Sequence, residues 1–354
     1  MAHIAKDLLR LMFEKGASDL HITAGAPVQL RIDENLFPVD DAVLTAEDSK
    51  ALTFSMLNEA QIRKFEKDLE LDAAFAFEEF GRFRINVFKQ RNSVAASLRL
   101  IPHDIWSFEE CGLPSDVAID LCNRPKGLVL VTGATGSGKS TSLASMIDWI
   151  NVGRSCHIVT IEDPIEFVHK NKKSIVNQRE VYSDTHSFND SLKHILRQDP
   201  DVILIGEMRD LETIESALII AETGHLVFAT LHTSDCVQTV NRIVDVFPNH
   251  QQDQIRTQLS FVLVGILSQQ LIPKAEGKGR VLATEILMVN APVRSMIRES
   301  KLHQLYSVMQ TSKKDGMKTM NQALYELYHK RAITYEQAFE RTTDAEDLER
   351  LFKK

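Results

Sequence analysis

With 354 residues, of which 44% are apolar, the chain has material for two domains, and this excludes intrinsic disorder as its main state. A net charge of −8 and a pI near 5.9 speak against a dedicated nucleic-acid binder, which needs a basic face. The cysteines at 111, 122, 156 and 236 form no CxxC pair, so neither a zinc site nor a disulfide framework is expected.

The stretch from Met1 to Gly16 carries scattered charges and no apolar run behind a basic start, so no signal peptide is expected. Ile4, Leu8, Leu11 and Met12 share one helical face. Val28, Leu30 and Ile32 alternate with Gln29, Arg31 and Asp33, the period of a half-buried strand. Leu44 to Phe65 reads as a helix, with Thr45 as N-cap and Asp48 three residues on. Phe83, Ile85 and Val87 then alternate with Arg82, Arg84 and Asn86, and Val94, Ala96, Leu98 and Leu100 with Ser97 and Arg99. A two-residue turn at Arg91-Asn92 pairs 90 with 93 and 88 with 95, which sets Arg84 directly across from Arg99. Like charges so placed destabilise a sheet unless an anion sits near them. Either the two arginines splay apart on a solvated face, or they hold an anion.

Residues 1–100 thus form an expected α+β domain, and 101–125, with Pro102, Pro114 and Pro125, an expected linker with a short helix. The pattern then changes to buried strand-like runs at 128–131, 157–161, 202–205, 226–231 and 281–289, separated by helical segments. Continuous apolar runs of this kind predict a parallel sheet covered on both faces, here an α/β core over 126–290. Residues 291–354 read as helical, with Leu324, Leu327 and Tyr328 on one stripe. The most apolar stretch, Phe261 to Leu267, falls far short of the roughly 20 residues of a membrane helix.

Gly133-Ala134-Thr135-Gly136-Ser137-Gly138-Lys139-Ser140, followed by Thr141, matches the phosphate-binding loop in full and lies between a strand and an amphipathic helix. Its backbone N–H groups and helix N-terminus suit the phosphates of ATP. Lys139 is expected on the β- and γ-phosphates and Ser140 on Mg²⁺. Next, the strand 202–205 runs into Gly206-Glu207, with glycine where many such proteins carry a metal-binding aspartate. Glu207 remains to orient and polarise water, and metal binding must lean on other carboxylates. Glu162, Asp163 and Glu166 supply them just after the strand 157–161, at the carboxyl edge where ligands bind in such sheets. His225 and His232 bracket the strand 226–231, roughly 20 Å apart, too far to share a zinc ion. Capping and core hydrogen bonding compete with γ-phosphate sensing for them.

Together these boxes resemble the type II/IV secretion ATPases, most closely the type IV pilus retraction ATPases (the PilT family), over essentially the whole length. The resemblance rests on the phosphate loop, TIEDPIEF, LIGEMRD and GHLVFATLHT. It extends to Ala291–Glu299, which keeps both arginines and the glutamate of a family signature but departs from it at Pro292-Val293 and Ser295-Met296. It implies an N-terminal PAS-like domain, a RecA-like P-loop ATPase core, a C-terminal helical region and a homohexamer. It further implies Arg84 and Arg99 at the γ-phosphate, Glu207 as catalytic base, and Glu166 with Glu162 at Mg²⁺. His225 and His232 would couple nucleotide state to the subunit interface. The implied partner is an inner-membrane pilus platform protein, met from the cytoplasmic side, with no nucleic acid and no membrane contact of its own. The alternatives are a nucleic-acid-dependent RecA-like motor and an accessory pilus ATPase paralogue.

Overall fold

The computed structural model describes residues 4–32, 35–77, 81–101 and 104–353; Met1, Asp33 and Pro102 lie outside the described residues. The chain divides into two compact units, 1–104 and 105–354.

In the first unit α1 (Ala5–Glu14), α2 (Ala46–Phe54) and α3 (Glu59–Asp68) accompany a six-stranded antiparallel sheet. Its strands are β1 (Asp19–Ile22), β2 (Gln29–Ile32), β3 (Asn35–Pro38), β4 (Glu70–Ala76), β5 (Arg82–Gln90) and β6 (Ser93–Ile101), in the order β3-β2-β1-β6-β5-β4. The single helix expected over 44–65 is two, because Asn58 and Gln61 form a second capping box that restarts the chain after Thr45 and Asp48 made the first. At the β5–β6 turn Arg91 and Asn92 both have positive φ (46° and 62°), as a tight hairpin with right-handed strand twist requires. The register follows: Gln90 meets Ser93, Phe88 meets Ala95, and Arg84 meets Arg99. Leu20, Phe65, Phe83, Ile85 and Leu98 pack the core on one side of the sheet.

The second unit is built on a seven-stranded sheet in the order β13-β12-β7-β11-β10-β8-β9. Its strands are β7 (Gly127–Thr132), β8 (His157–Glu162), β9 (Ile175–Glu180), β10 (Val202–Ile205), β11 (Leu226–Leu231), β12 (Leu263–Pro273) and β13 (Arg280–Met288). All neighbouring strands are parallel except β12 and β13, so the expected all-parallel sheet is corrected at one edge. The connection 274–279 is too short for the crossover that a parallel pair needs. Two strands of this second sheet were not legible in the sequence. β9 is an edge strand with polar Asn177, Gln178 and Arg179 in its middle, and β12 runs on directly from a helix without a turn residue.

Helices α4 (Phe108–Cys111) and α5 (Ser115–Cys122) occupy the stretch read as a linker, and Phe108, Leu113 and Leu121 enter the second unit's core. α6 (Lys139–Gly153), α7 (Phe188–Ile195), α8 (Leu211–Glu222), α9 (Cys236–Asp245) and α10 (Asn249–Val262) cover the sheet. All six residues of β7 and of β11 are buried, each large aliphatic contributing about 1.5–3 kcal/mol. The chain closes with α11 (Ala291–Arg298), α12 (Leu305–Thr311), α13 (Met320–His329), α14 (Tyr335–Arg341) and α15 (Ala345–Phe352). Leu324, Ile333, Ala338 and Leu348 form a smaller core among the last three, against Ile272 and Ala283 of the β12–β13 edge. No helix among the described residues is long and apolar enough to cross a membrane.

Candidate active site

Four loops leave the carboxyl ends of neighbouring parallel strands. They follow β7 (133–138), β8 (163 onward), β10 (206–210) and β11 (232–235), so the topology alone gathers the predicted boxes at one sheet edge.

The loop after β7 is shaped by glycine. Gly133 has φ +141°, and a Cβ there would collide with the Gln269 carbonyl and Ser137 Oγ. At Gly136 (φ +78°) a Cβ would meet nothing within 4 Å, which marks the open side of the cradle. Gly138 (φ +89°) starts α6 in a left-handed conformation. Ser137 Oγ is buried without a hydrogen-bond partner, an orphaned group of the kind that a bound oxyanion satisfies. Lys139 Nζ donates to the Gly133 and Ala134 carbonyls at 2.8 and 3.0 Å. Burial lowers its ammonium pKa, while the carboxylates of Glu207 and Glu166 act on it in the opposite sense. Ser140 and Thr141 follow in the first turn of α6, both half-buried.

Gly206, where many such proteins carry an aspartate, lies close against β8. A Cβ there would stand 3.1 Å from the Ile161 carbonyl and 3.2 Å from Glu162 Cα, so a side chain would press on the β8 backbone. The next residue turns outward. Glu207 Oε2 accepts from Arg209 Nη2 at 2.7 Å, and Oε1 lies 3.5 Å from His232 Nε2. Burial pushes the Glu207 carboxyl up, but the Arg209 hydrogen bond and the charges of Arg209, His232 and Lys139 outweigh it and hold it below the usual range. Glu207 is therefore an ionised acceptor at neutral pH.

The two glutamates of the acidic turn differ. Glu162 Oε1 accepts from Thr160 Oγ1 at 2.7 Å and from Gln178 Nε2 at 3.1 Å, and burial raises its carboxyl pKa. Glu166 is exposed, and its charge reaches Lys139. Of the pair, Glu166 is the carboxylate free to meet a ligand, and Glu162 is engaged in fixing the turn.

The histidines separate as well. His232 stands at the carboxyl end of β11 beside Glu207, whereas His225 precedes β11 at the opposite edge, its Nδ1 3.1 Å from both the Ile220 carbonyl and Thr223 Oγ1. His225 thus caps the end of α8, away from the phosphate loop. In the first unit, Arg84 pairs with Asp72 at 3.6 Å and Arg99 with Asp19 at 2.8 Å. The anions demanded by two facing arginines are thus present within their own sheet. Two contributors were not singled out from the sequence: Arg209, two residues beyond Glu207, and Gln269, a fully buried β12 residue whose Nε2 donates to Ser142 Oγ at 2.7 Å. An isolated buried glutamine carries no periodic signal.

The chain matches the family model described as type II/IV secretion system protein over residues 1–340. The chain belongs to that family. Within it, the type IV pilus retractation ATPase PilT of Pseudomonas aeruginosa is 46% identical over 97% of this chain and 99% of its own length. The type IV pilus ATPase PilU of the same organism is 44% identical, over 98% of this chain and 90% of its own. Among solved structures, that of the pilus retraction motor PilT with bound ADP superposes with a TM-score of 0.92 at 54% identity, covering 98% of this chain and 99% of that one. The Legionella pneumophila ATPase DotB follows at 0.79 and 26% identity, covering 94% and 93%. This secretion-family chain accordingly has the α/β fold of those ATPases, with a RecA-like core, and ATP is its nucleotide.

Proposed function

We propose that this chain is an ATP-hydrolysing motor of type IV pilus retraction, working as a homohexamer on an inner-membrane platform protein from the cytoplasmic face. The observation that carries the ATPase reading is that the segments following β7, β8 and β10 bring Lys139, Glu166 and Glu207 to one sheet edge, at a glycine-shaped loop whose buried Ser137 Oγ lacks a partner. The resemblance to retraction ATPases over nearly the full chain supports the choice of motor.

The backbone of 133–138 and the α6 N-terminus bind the phosphates, and Lys139 exchanges its two carbonyl partners for phosphate oxygens. Glu207, ionised and held by Arg209 and His232, accepts a hydrogen bond from the attacking water and orients it. The residues fit Mg²⁺, a hard cation that takes oxygen ligands: the Ser140 hydroxyl stands in the first turn of α6 and the Glu166 carboxylate is exposed. Ser140 and Glu166 would hold it, with Glu162 fixing the turn behind. Once bound, Mg²⁺ supplies neutralisation of the charge on the β- and γ-phosphate oxygens. Arg84 and Arg99 are proposed γ-phosphate contacts on the family resemblance. His225, at the far edge, is proposed to act through the subunit interface.

Steady-state hydrolysis by the purified protein tests the reading. Lys139→Ala and Glu207→Gln should each reduce kcat by about 10³-fold or more, and unchanged turnover in both would remove the mechanism. The near-equal identity to PilU favours one second reading, an accessory ATPase. Retraction measured with this chain as sole motor separates the two.

A further inference from the structure

Glu285 lies in the middle of β13, 3% exposed, and no step above uses it. Its Oε1 accepts the Cys236 amide at 2.8 Å and its Oε2 the Met320 amide at 3.2 Å. Cys236 is the first residue of α9 and Met320 the first of α13. One carboxylate therefore receives the positive ends of two helices, one from the ATPase core and one from the C-terminal region. Burial raises the Glu285 carboxyl pKa, the Cys236 and Met320 amides act against that rise, and the nearby Asp235 carboxylate adds to it. An apolar residue of similar size would fill the space without the desolvation cost of a buried charge, so what the carboxylate adds is the tie itself.

What the tie reaches is the catalytic loop. The α9 N-terminus is stitched to its surroundings: Ser234 O accepts from Ser268 Oγ at 2.9 Å, and Thr233 Oγ1 lies 2.6 Å from Thr239 Oγ1. Thr239 Oγ1 reaches Thr132 Oγ1, the last residue before the phosphate loop, at 3.5 Å. His232, which touches Glu207, is four residues before Cys236. On the other side, α13 carries Ala323 and Leu324 into the C-terminal core.

We propose that Glu285 is a positioning residue that couples the seating of the C-terminal helices to the catalytic geometry. With α13 docked, Glu285 holds the first turn of α9 and hence the loop 232–235, keeping His232 on Glu207. Displacement of α13 releases that loop. The inference rests on the reading of Glu207 as the water-orienting group.

The two helix-end partners of Glu285 are both backbone N–H donors, beside a contact with the Cys236 thiol, so Glu285→Gln offers the two amides one oxygen and one NH₂ and must abandon one helix end. The expected result is a kcat lower by about tenfold, with nucleotide affinity, read by equilibrium binding of a fluorescent ATP analogue, within about twofold of the parent. Hydrogen exchange should rise together at 233–239 and 319–324. In a His232→Ala background, Glu285→Gln should add no further loss. Multiplicative losses, or faster exchange at one helix alone, would overturn the coupling.

If Glu285→Gln does not fold, Met320→Pro serves in its place, compared with Met320→Ala. Proline is accepted at the first helical position, and Thr319 is already extended (φ −80°, ψ 160°). Both variants lose the methionine side chain, and only proline removes the amide. A kcat lower by about tenfold in the proline variant relative to alanine supports the tie, and equal kcat refutes it. Glu207→Gln, run in parallel, separates the two levels. If it leaves kcat intact, the site reading fails, and the paired exchange result alone then decides whether the two helix ends are tied.

Discussion

His169 lies in the segment that follows the acidic turn, 8% exposed, with Nδ1 buried and unbonded. Burial brings its imidazole from the ordinary 6.5 down to about 4. The folded state thus resists a proton that the unfolded chain accepts, so stability is full above about pH 6.5 and falls as pH drops toward 4. His169→Gln should flatten that slope, read as denaturant midpoints at pH 7 and pH 5; an unchanged difference would show that other groups dominate acid unfolding. At Gly206 a Cβ would press on the β8 backbone, 3.1 Å from the Ile161 carbonyl and 3.2 Å from Glu162 Cα. Gly206→Asp should therefore destabilise the strand end and lower turnover rather than strengthen metal binding. A Mg²⁺ activation curve that moved to lower concentration in this variant would contradict the steric account. The arginine pair was legible to the residue: turn, register and facing charges all follow from Arg91-Asn92 and period-2 alternation. Their carboxylate partners were not, because which strands flank the hairpin, bringing Asp19 and Asp72 alongside, is set by the order of the whole sheet.

The segment Ala291–Glu299 forms α11, whose place in the fold separates it from the chemistry. Arg294 Nη1 donates to the Ser260 and Phe261 carbonyls at 2.7 and 2.9 Å, so it caps the end of α10, and Arg298 lies 5.7 Å from the centre of the Phe261 ring. The end of α10 meets Gly127, at the start of β7, six residues from Gly133 and at the opposite sheet edge from the phosphate loop. Arg294→Ala should lower the melting temperature, with a loss of roughly 1.5–3 kcal/mol for two charge-assisted hydrogen bonds. Basal kcat should change little and retraction should fail. Loss of hydrolysis in step with retraction would mean that α11 supports the active site. Elements with strong local signals, such as β7 with α6 and the β5–β6 hairpin, could be read from sequence. β12 could not, because no residue type marks where α10 ends and the strand begins.

For the molecule as a whole, the proposed γ-phosphate role of Arg84 and Arg99 is the issue. Arg84 and Arg99 already have carboxylate partners in the first unit, so loss of a sheet contact and loss of a γ-phosphate contact must be told apart. Asp72→Asn removes Arg84's partner while sparing the arginine. Arg84→Ala should lower kcat roughly tenfold or more with nucleotide affinity retained, and Asp72→Asn should not. Matching losses in the two would assign Arg84 to the stability of its own sheet. Assembly is the other whole-molecule property. The purified chain should run as a hexamer in mass photometry, and a stable monomer with full turnover would sink the ring.

Sequence alone determined what depends on neighbours along the chain. The phosphate loop, the capping boxes, the hairpin register and the strand that leads into Glu207 each need only a few consecutive residues to be chemically recognisable. Tertiary structure decided which of the labelled residues meet. It sent His232 to Glu207 and His225 to the far edge, left Glu166 open while closing Glu162 in, and made Glu285 the common anchor of two helix ends. Those outcomes depend on strand order and on side chains from distant segments converging, and strand order is set by the packing of the whole sheet rather than by any local run of residues.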